Sequence, residues 1–93
     1  MRLRYTAEAR SHIKAIYDYI AERNPAAALE IVSRIRGAAE LLKDFPRIGH
    51  AGVDPGTAEW IVAGSPYIIV YEVVPDQDEL VILAVFHGSR FRS

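Results

Sequence analysis

Asn24-Pro25 interrupts a long stretch of helical periodicity, and this dipeptide sets how the N-terminal half of the chain must fold. Asparagine is a good helix N-cap, and proline at the first helical position gives up an N–H that would be unpaired there anyway. Before the break, Ile13, Ile16, Tyr17 and Ile20 recur at i, i+3, i+4 and i+7, with Arg10, Lys14, Asp18 and Glu22 on other faces. After it, an apolar stripe runs through Ile31, Val32, Ile35, Ala38, Ala39, Leu41 and Leu42 and stops before Pro46. With so little chain between them, the two helices must fold back as an antiparallel hairpin. Ala26-Ala27-Ala28 lets them approach closely.

Smaller signals agree. Thr6 offers a hydroxyl cap to the first helix, and Glu8 places a carboxylate in its first turn, one position short of a capping box. The first helix extends to about Arg23. On the second, Glu30 with Arg34 and Arg36 with Glu40 are spaced for i,i+4 pairs, while Gly37 costs roughly 1 kcal/mol against alanine.

The rest of the chain changes period. Leu3 and Tyr5 alternate with Arg2 and Arg4, which predicts a short first strand with one buried face. Arg47 to Thr57 holds three glycines and a proline and reads as loop. Glu59 to Val62 is expected as a short strand, Gly64-Ser65-Pro66 as a turn, and Tyr67 to Val74 as a strand rich in β-branched and aromatic residues. Pro75-Asp76-Gln77-Asp78 turns the chain into Glu79 to Phe86, whose near-continuous hydrophobicity marks a central strand paired with the one before it. The predicted class is α+β: a short N-terminal strand and an antiparallel two-helix hairpin packed on a three- to four-stranded antiparallel sheet, as a single domain over 1–93.

Composition narrows the setting. Apolar residues make up 51% and charged residues 25%, the balance of a globular protein. Lysine and arginine total 11 against 12 acids, so polyanion binding would have to come from a local patch. There is no cysteine, which excludes disulfides and thiolate metal sites and fits a reducing cytosol. The charged N-terminus has no apolar h-region, and no apolar run is long enough for a membrane span, so a cytoplasmic protein is expected. His12, His50 and His87 have no paired ligand spacing, and no phosphate loop or dinucleotide fingerprint occurs, so no cofactor is expected.

Four features in fixed order carry a resemblance. They are the strand leading into a helical hairpin, Phe45-Pro46-Arg47-Ile48-Gly49, Tyr67-Ile68-Ile69-Val70-Tyr71-Glu72-Val73, and Val81-Ile82-Leu83-Ala84-Val85-Phe86-His87-Gly88. Over nearly its whole length the chain resembles the ParE/RelE superfamily, the plasmid-stabilisation toxins of type II toxin–antitoxin systems, and looks closer to ParE. The resemblance implies a bacterial toxin neutralised by a ribbon-helix-helix, ParD-like antitoxin in a heterotetramer or larger complex. It implies either of two activities, poisoning DNA gyrase or ribosome-dependent mRNA cleavage, and fold alone does not choose between them.

Cleavage beside a 2'-hydroxyl needs a group to take that proton, cations around the developing charge, and a donor for the leaving oxygen. Many RelE-like members carry an arginine after the first tyrosine of the third strand, where this chain has Ile68. Tyr67 to Val74 holds no cation, and Glu72 shares a face with Ile68 and Val70. What remains for catalysis is His87 with Arg90 and Arg92, joined by Arg2 or Arg4 if the first strand pairs nearby. Each also has a plainer reading, His87 as a hydrogen-bonded rim residue and the two arginines as a solvated tail. Trp60, His87 and Arg90 are the candidate partner contacts, although Trp60 reads first as a core anchor or sheet-face residue. His50 reads as an ordinary polar loop residue, and Tyr67 and Tyr71 as packing residues whose hydroxyls reach the sheet rim.

The preferred expectation is therefore a non-enzymatic inhibitor of DNA gyrase that touches DNA only through its antitoxin or gyrase. The alternative is a RelE-like mRNA endonuclease using His87, Arg90 and Arg92, and a third is an inactive relative that only binds its antitoxin.

Overall fold

The computed structural model describes residues 1–89. Its elements are β1 (Arg2–Tyr5), α1 (Ala7–Ala21), α2 (Pro25–Asp44), β2 (His50–Ala51), β3 (Ala58–Ile61), β4 (Tyr67–Val74) and β5 (Glu79–His87). A single 3-10 turn, Pro75–Gln77, joins β4 to β5 and closes on Asp78 in the left-handed region at φ 52°.

The helix ends form as the residue types dictate. The Thr6 hydroxyl accepts from the Ala9 amide at 3.0 Å, and the Asn24 side chain accepts from the Ala27 amide at 3.1 Å with Pro25 opening α2. Glu30 and Arg34 pair at 3.0 Å. Glu40 instead pairs with Lys43 at 2.9 Å, because Arg36 lies over the Tyr5 ring, 5.5 Å from its centroid.

The sheet is wider than the sequence pattern suggests and mixed in direction. Five strands run in the order β1-β5-β4-β3-β2. The additional strand, β2, is two residues inside the glycine-rich segment and pairs His50 with Glu59 and Ala51 with Ala58. It is too short to carry any alternation. β2 to β5 form an antiparallel meander, and β1 lies along the remaining edge of β5, parallel to it, with Arg2 opposite Glu79 and Tyr5 opposite Ile82. β5 is thus interior, as its hydrophobicity predicts.

Both helices pack on one face of this sheet. The core brings Ala9 and Ile13 of α1 and Ile35, Ala39 and Leu42 of α2 onto Ile69, Tyr71, Leu80, Ile82 and Val85. These residues are 0–4% exposed. Each large aliphatic side chain buried this completely contributes about 1.5–3 kcal/mol. No described helix is long and apolar enough to cross a membrane.

Candidate functional site

A β-bulge decides which side chains each sheet face presents. β4 and β5 pair regularly from Tyr67 opposite His87 to Val70 opposite Ala84, and then Tyr71 falls opposite Ile82, leaving Leu83 unpaired. The freed backbone groups find partners on the segment entering α1 and on α1 itself. The Thr6 hydroxyl donates to the Leu83 carbonyl at 3.2 Å, and the Val85 amide donates to Nδ1 of His12 at 3.2 Å. In a neutral imidazole, accepting at Nδ1 leaves the proton on Nε2. Through the bulge, Ile82 and Val85 both face the helices although they are three residues apart, and His87 follows Val85 onto that side.

His87 therefore sits edge-on to Tyr67, with ring centroids 5.5 Å apart at 79°. Its Nδ1 accepts from the Ser89 amide at 3.1 Å and lies 2.7 Å from the Ser89 hydroxyl. Trp60 lies on the same side, half-buried against the core. Arg90 and Arg92 lie outside the described residues. The structure thus places His87 and Trp60 on the helix-bearing face, near the rim of the core.

The opposite face carries no described helix. Across β3 and β4, Ile61 stands opposite Ile68 and Glu59 opposite Val70. Towards β1, Glu72 stands opposite Val81, and Val81 opposite Arg4. Glu79, buried at 9% exposure, takes Arg4 Nε at 3.3 Å and Arg2 Nη2 at 3.4 Å. Glu59, 3% exposed, has His50 Nε2 at 3.6 Å. His50 is thus a neighbour of a buried carboxylate rather than a loop residue. Sequence reading missed this because only the β2 register brings the two together. The half-buried Glu72 carboxylate has no ion pair or hydrogen bond among the described residues.

β3 begins opposite Tyr71, so Glu72 to Val74 leave one strand edge without a β3 partner. Beside it opens a cleft of about 310 Å³, walled by Arg47, Gly49, His50, Thr57, Tyr71 and Glu72 among others. Its shape is held by Tyr71, whose hydroxyl donates to the Pro46 carbonyl at 2.8 Å and accepts from the Gly49 amide at 3.1 Å. A Cβ at Gly49 would collide with that hydroxyl and come within 2.9 Å of the Glu59 carbonyl, which accounts for glycine here. Burial raises the Tyr71 phenol above its ordinary pKa, partly opposed by the bond from Gly49. The described residues hold no cluster of three or more histidine, aspartate or glutamate side chains fit to bind a metal.

A second cleft, about 370 Å³, lies between the helices, with Arg10, Ile13, Lys14, Tyr17, Val32 and Arg36 on its walls.

Comparison with known proteins bears on this arrangement. The family model described as the ParE toxin of the type II toxin–antitoxin system parDE matches residues 3–91. The putative toxin Y4kP of Sinorhizobium fredii is 35% identical over 89 residues, covering 96% of this chain and 90% of the relative. Toxin RelE2 of Caulobacter vibrioides is 33% identical over 87 residues, covering 92% and 93%. Among solved structures, the chromosomal ParDE toxin–antitoxin system from P. aeruginosa superposes with a TM-score of 0.76 at 25% identity, over 94% of this chain and 95% of that one. With a match spanning nearly its whole length and this two-helix, five-stranded architecture, the chain belongs to the ParE toxin family of type II toxin–antitoxin systems.

Proposed function

We propose that this toxin acts in the cytoplasm by binding and inhibiting DNA gyrase, and that a ParD-like ribbon-helix-helix antitoxin neutralises it in a heterotetramer or larger complex. One observation carries the reading. Among the described residues, the helix-free face of β3 and β4 carries no cation: its positions hold Glu59, Ile61, Ile68, Val70 and Glu72, and the arginines of β1 lie beyond β5, sharing Glu79. A phosphorane needs cations aimed at it, and these two strands supply none. The orientation of His87 towards the helix side adds support. The cleft between the helices, with Arg10, Lys14 and Arg36 around Ile13 and Val32, fits an acidic amphipathic antitoxin segment that folds as it binds.

The test is a supercoiling assay with purified toxin and gyrase. Inhibition with accumulation of cleaved DNA is expected. Normal supercoiling beside a specific arrest of translation would overturn the reading.

A second reading, an mRNA endonuclease using His87 with Arg90 and Arg92, is kept by the name of the Caulobacter relative. It predicts codon-phased transcript ends that vanish in His87→Ala.

A further inference from the structure

β4 outlasts the strand it pairs with. On the β3 side the Val62 amide donates to the Tyr67 carbonyl at 2.9 Å, and on the β5 side the Gly88 amide donates to the Pro66 carbonyl at 2.6 Å. Backbone direction alternates along an antiparallel strand, so Tyr67, Ile69, Tyr71 and Val73 turn their amide and carbonyl towards β3, while Glu72 and Val74 turn theirs towards β5. Ile69 and Tyr71 meet Trp60 and Ala58 there. No β3 residue stands opposite Val73, because that strand starts at Ala58. The chain before Ala58 does not fill the place either. Thr57 bends it into a turn, its amide and its hydroxyl both donating to the Asp54 carbonyl, at 3.2 and 2.6 Å. A main-chain donor and a main-chain acceptor of Val73 are therefore left on the wall of the cleft of about 310 Å³.

The charges beside this gap are opposite in sign and belong to opposite faces. Val73 shares the helix-side face with Tyr71, whose hydroxyl holds Pro46 and Gly49, so the backbone of Arg47 between them runs on that side. Glu72 points to the other face. Arg47 is exposed and Glu72 half-buried, and neither has an ion pair or hydrogen bond among the described residues. A phosphodiester backbone brings negative charge and acceptors, which would meet Arg47 but oppose Glu72 and leave the Val73 carbonyl unpaired. An extended peptide brings an N–H and a C=O together, with side chains of either sign on alternate faces.

We propose that the β4 edge at Val73 is a binding site for an extended peptide segment of another protein, which continues the lane of β3 and pairs its main chain with Val73. In the antiparallel register of that lane, the peptide residue opposite Val73 shares its face and is acidic, answering Arg47. The next residue towards the peptide's C-terminus lies opposite Glu72 and is basic. The site is separate from the cleft between the helices, and it stands whether the toxin inhibits gyrase or cuts RNA.

The experiment uses the full chain, labelled with 15N, and a capped hexapeptide, acetyl-Thr-Val-Glu-Lys-Val-Thr-amide. Amide exchange of the free toxin comes first: Val73 should exchange much faster than Glu72 and Val74, which are bonded to β5. Titration with the peptide should shift the amide resonances of Arg47 and of Glu72 to Val74, and slow Val73 exchange. A peptide methylated on the glutamate nitrogen keeps every side chain but lacks the central N–H, and should bind at least tenfold more weakly. Arg47→Glu and Glu72→Lys should each weaken binding at least fivefold, with melting temperatures reporting that the variants fold. Leu29→Glu on α2, 62% exposed and outside the cleft, should bind as the unaltered chain does.

A Val73 amide already protected in the free toxin overturns the site, because the edge would then be occupied. So does equal binding of the methylated peptide, or an absence of shifts around Val73 at millimolar peptide. A hexauridylate that shifts the same resonances at lower concentration overturns it too, since the cleft would then be selecting a phosphate backbone.

Discussion

Replacing Tyr71 with phenylalanine removes one oxygen atom, and the structure allows the consequence to be worked out. Tyr71 is 0% exposed, and its ring packs in the core. The substitution keeps the ring and takes away two hydrogen bonds, one to the Pro46 carbonyl at 2.8 Å and one from the Gly49 amide at 3.1 Å. Leaving buried polar groups unpaired costs about 1–3 kcal/mol each. Pro46 and Gly49 are only half-buried, so water can recover part of that. The expected loss is about 1.5 kcal/mol, which lowers the melting temperature by roughly 6–12 °C in a chain of this size. Equilibrium denaturation of the refolded toxin measures the loss, and the denaturant slope should not change because no additional surface is exposed on unfolding. Amide exchange distinguishes the proposed cause from general loosening. Gly49 should exchange much faster, while Ile69 and Ile82, held in the interior of the sheet, should change only by the global loss. A melting temperature within 1–2 °C of the unaltered protein, or unchanged protection at Gly49, would refute the claim that this hydroxyl holds the cleft wall.

Three further outcomes follow from the same structure. Burial raises the pKa of both Tyr5 and Tyr71, so the folded state keeps these protons after the unfolded chain has released them; stability is full below the ordinary tyrosine pKa of 10.0 and falls as pH rises through the raised values. Denaturation midpoints measured towards alkaline pH should therefore fall, and less steeply in Tyr71→Phe. His12→Ala leaves the Val85 amide without its acceptor and should cost about 1 kcal/mol, measured by chemical denaturation, with faster exchange at Val85; a neutral result would mean water replaces the imidazole. Glu79→Ala should also lower stability, by about 1 kcal/mol or less since both arginines are more than half exposed, and the loss should shrink in high salt.

What the sequence made legible depended on how locally each feature is encoded. The helical hairpin was readable because Thr6 and Asn24 act within three residues of themselves, and the apolar stripes repeat over whole turns. β4 was readable in detail because alternation is strict there, and Glu72 stands on the face that pleating assigns. β2 could not be read, since two residues have no period and pairing with Ala58 and Glu59 is their only definition. The position of His87 was hidden for a related reason. From Leu80 to Phe86 every residue is apolar, so nothing in the composition marks Leu83 as the bulge, and a regular strand would have sent Val85 and His87 to the other face. The amide that reveals the irregularity is satisfied by His12, 73 residues away in the chain.

The two faces of the sheet therefore answer to different demands. On the helix side, Ile69, Tyr71, Leu80 and Ile82 are fully buried, and truncating any of them leaves a cavity costing about 2–5 kcal/mol, a large share of the stability of a small domain. Ile61 and Glu72 on the other side contribute little to packing, so their identity is free to answer to something outside the chain. That separation is what makes the functional readings testable. A substitution at Ile61 or Glu72 that abolishes toxicity while the protein melts normally acts on the toxic function and not on stability, whereas the same loss after a change at Ile69 could be unfolding alone.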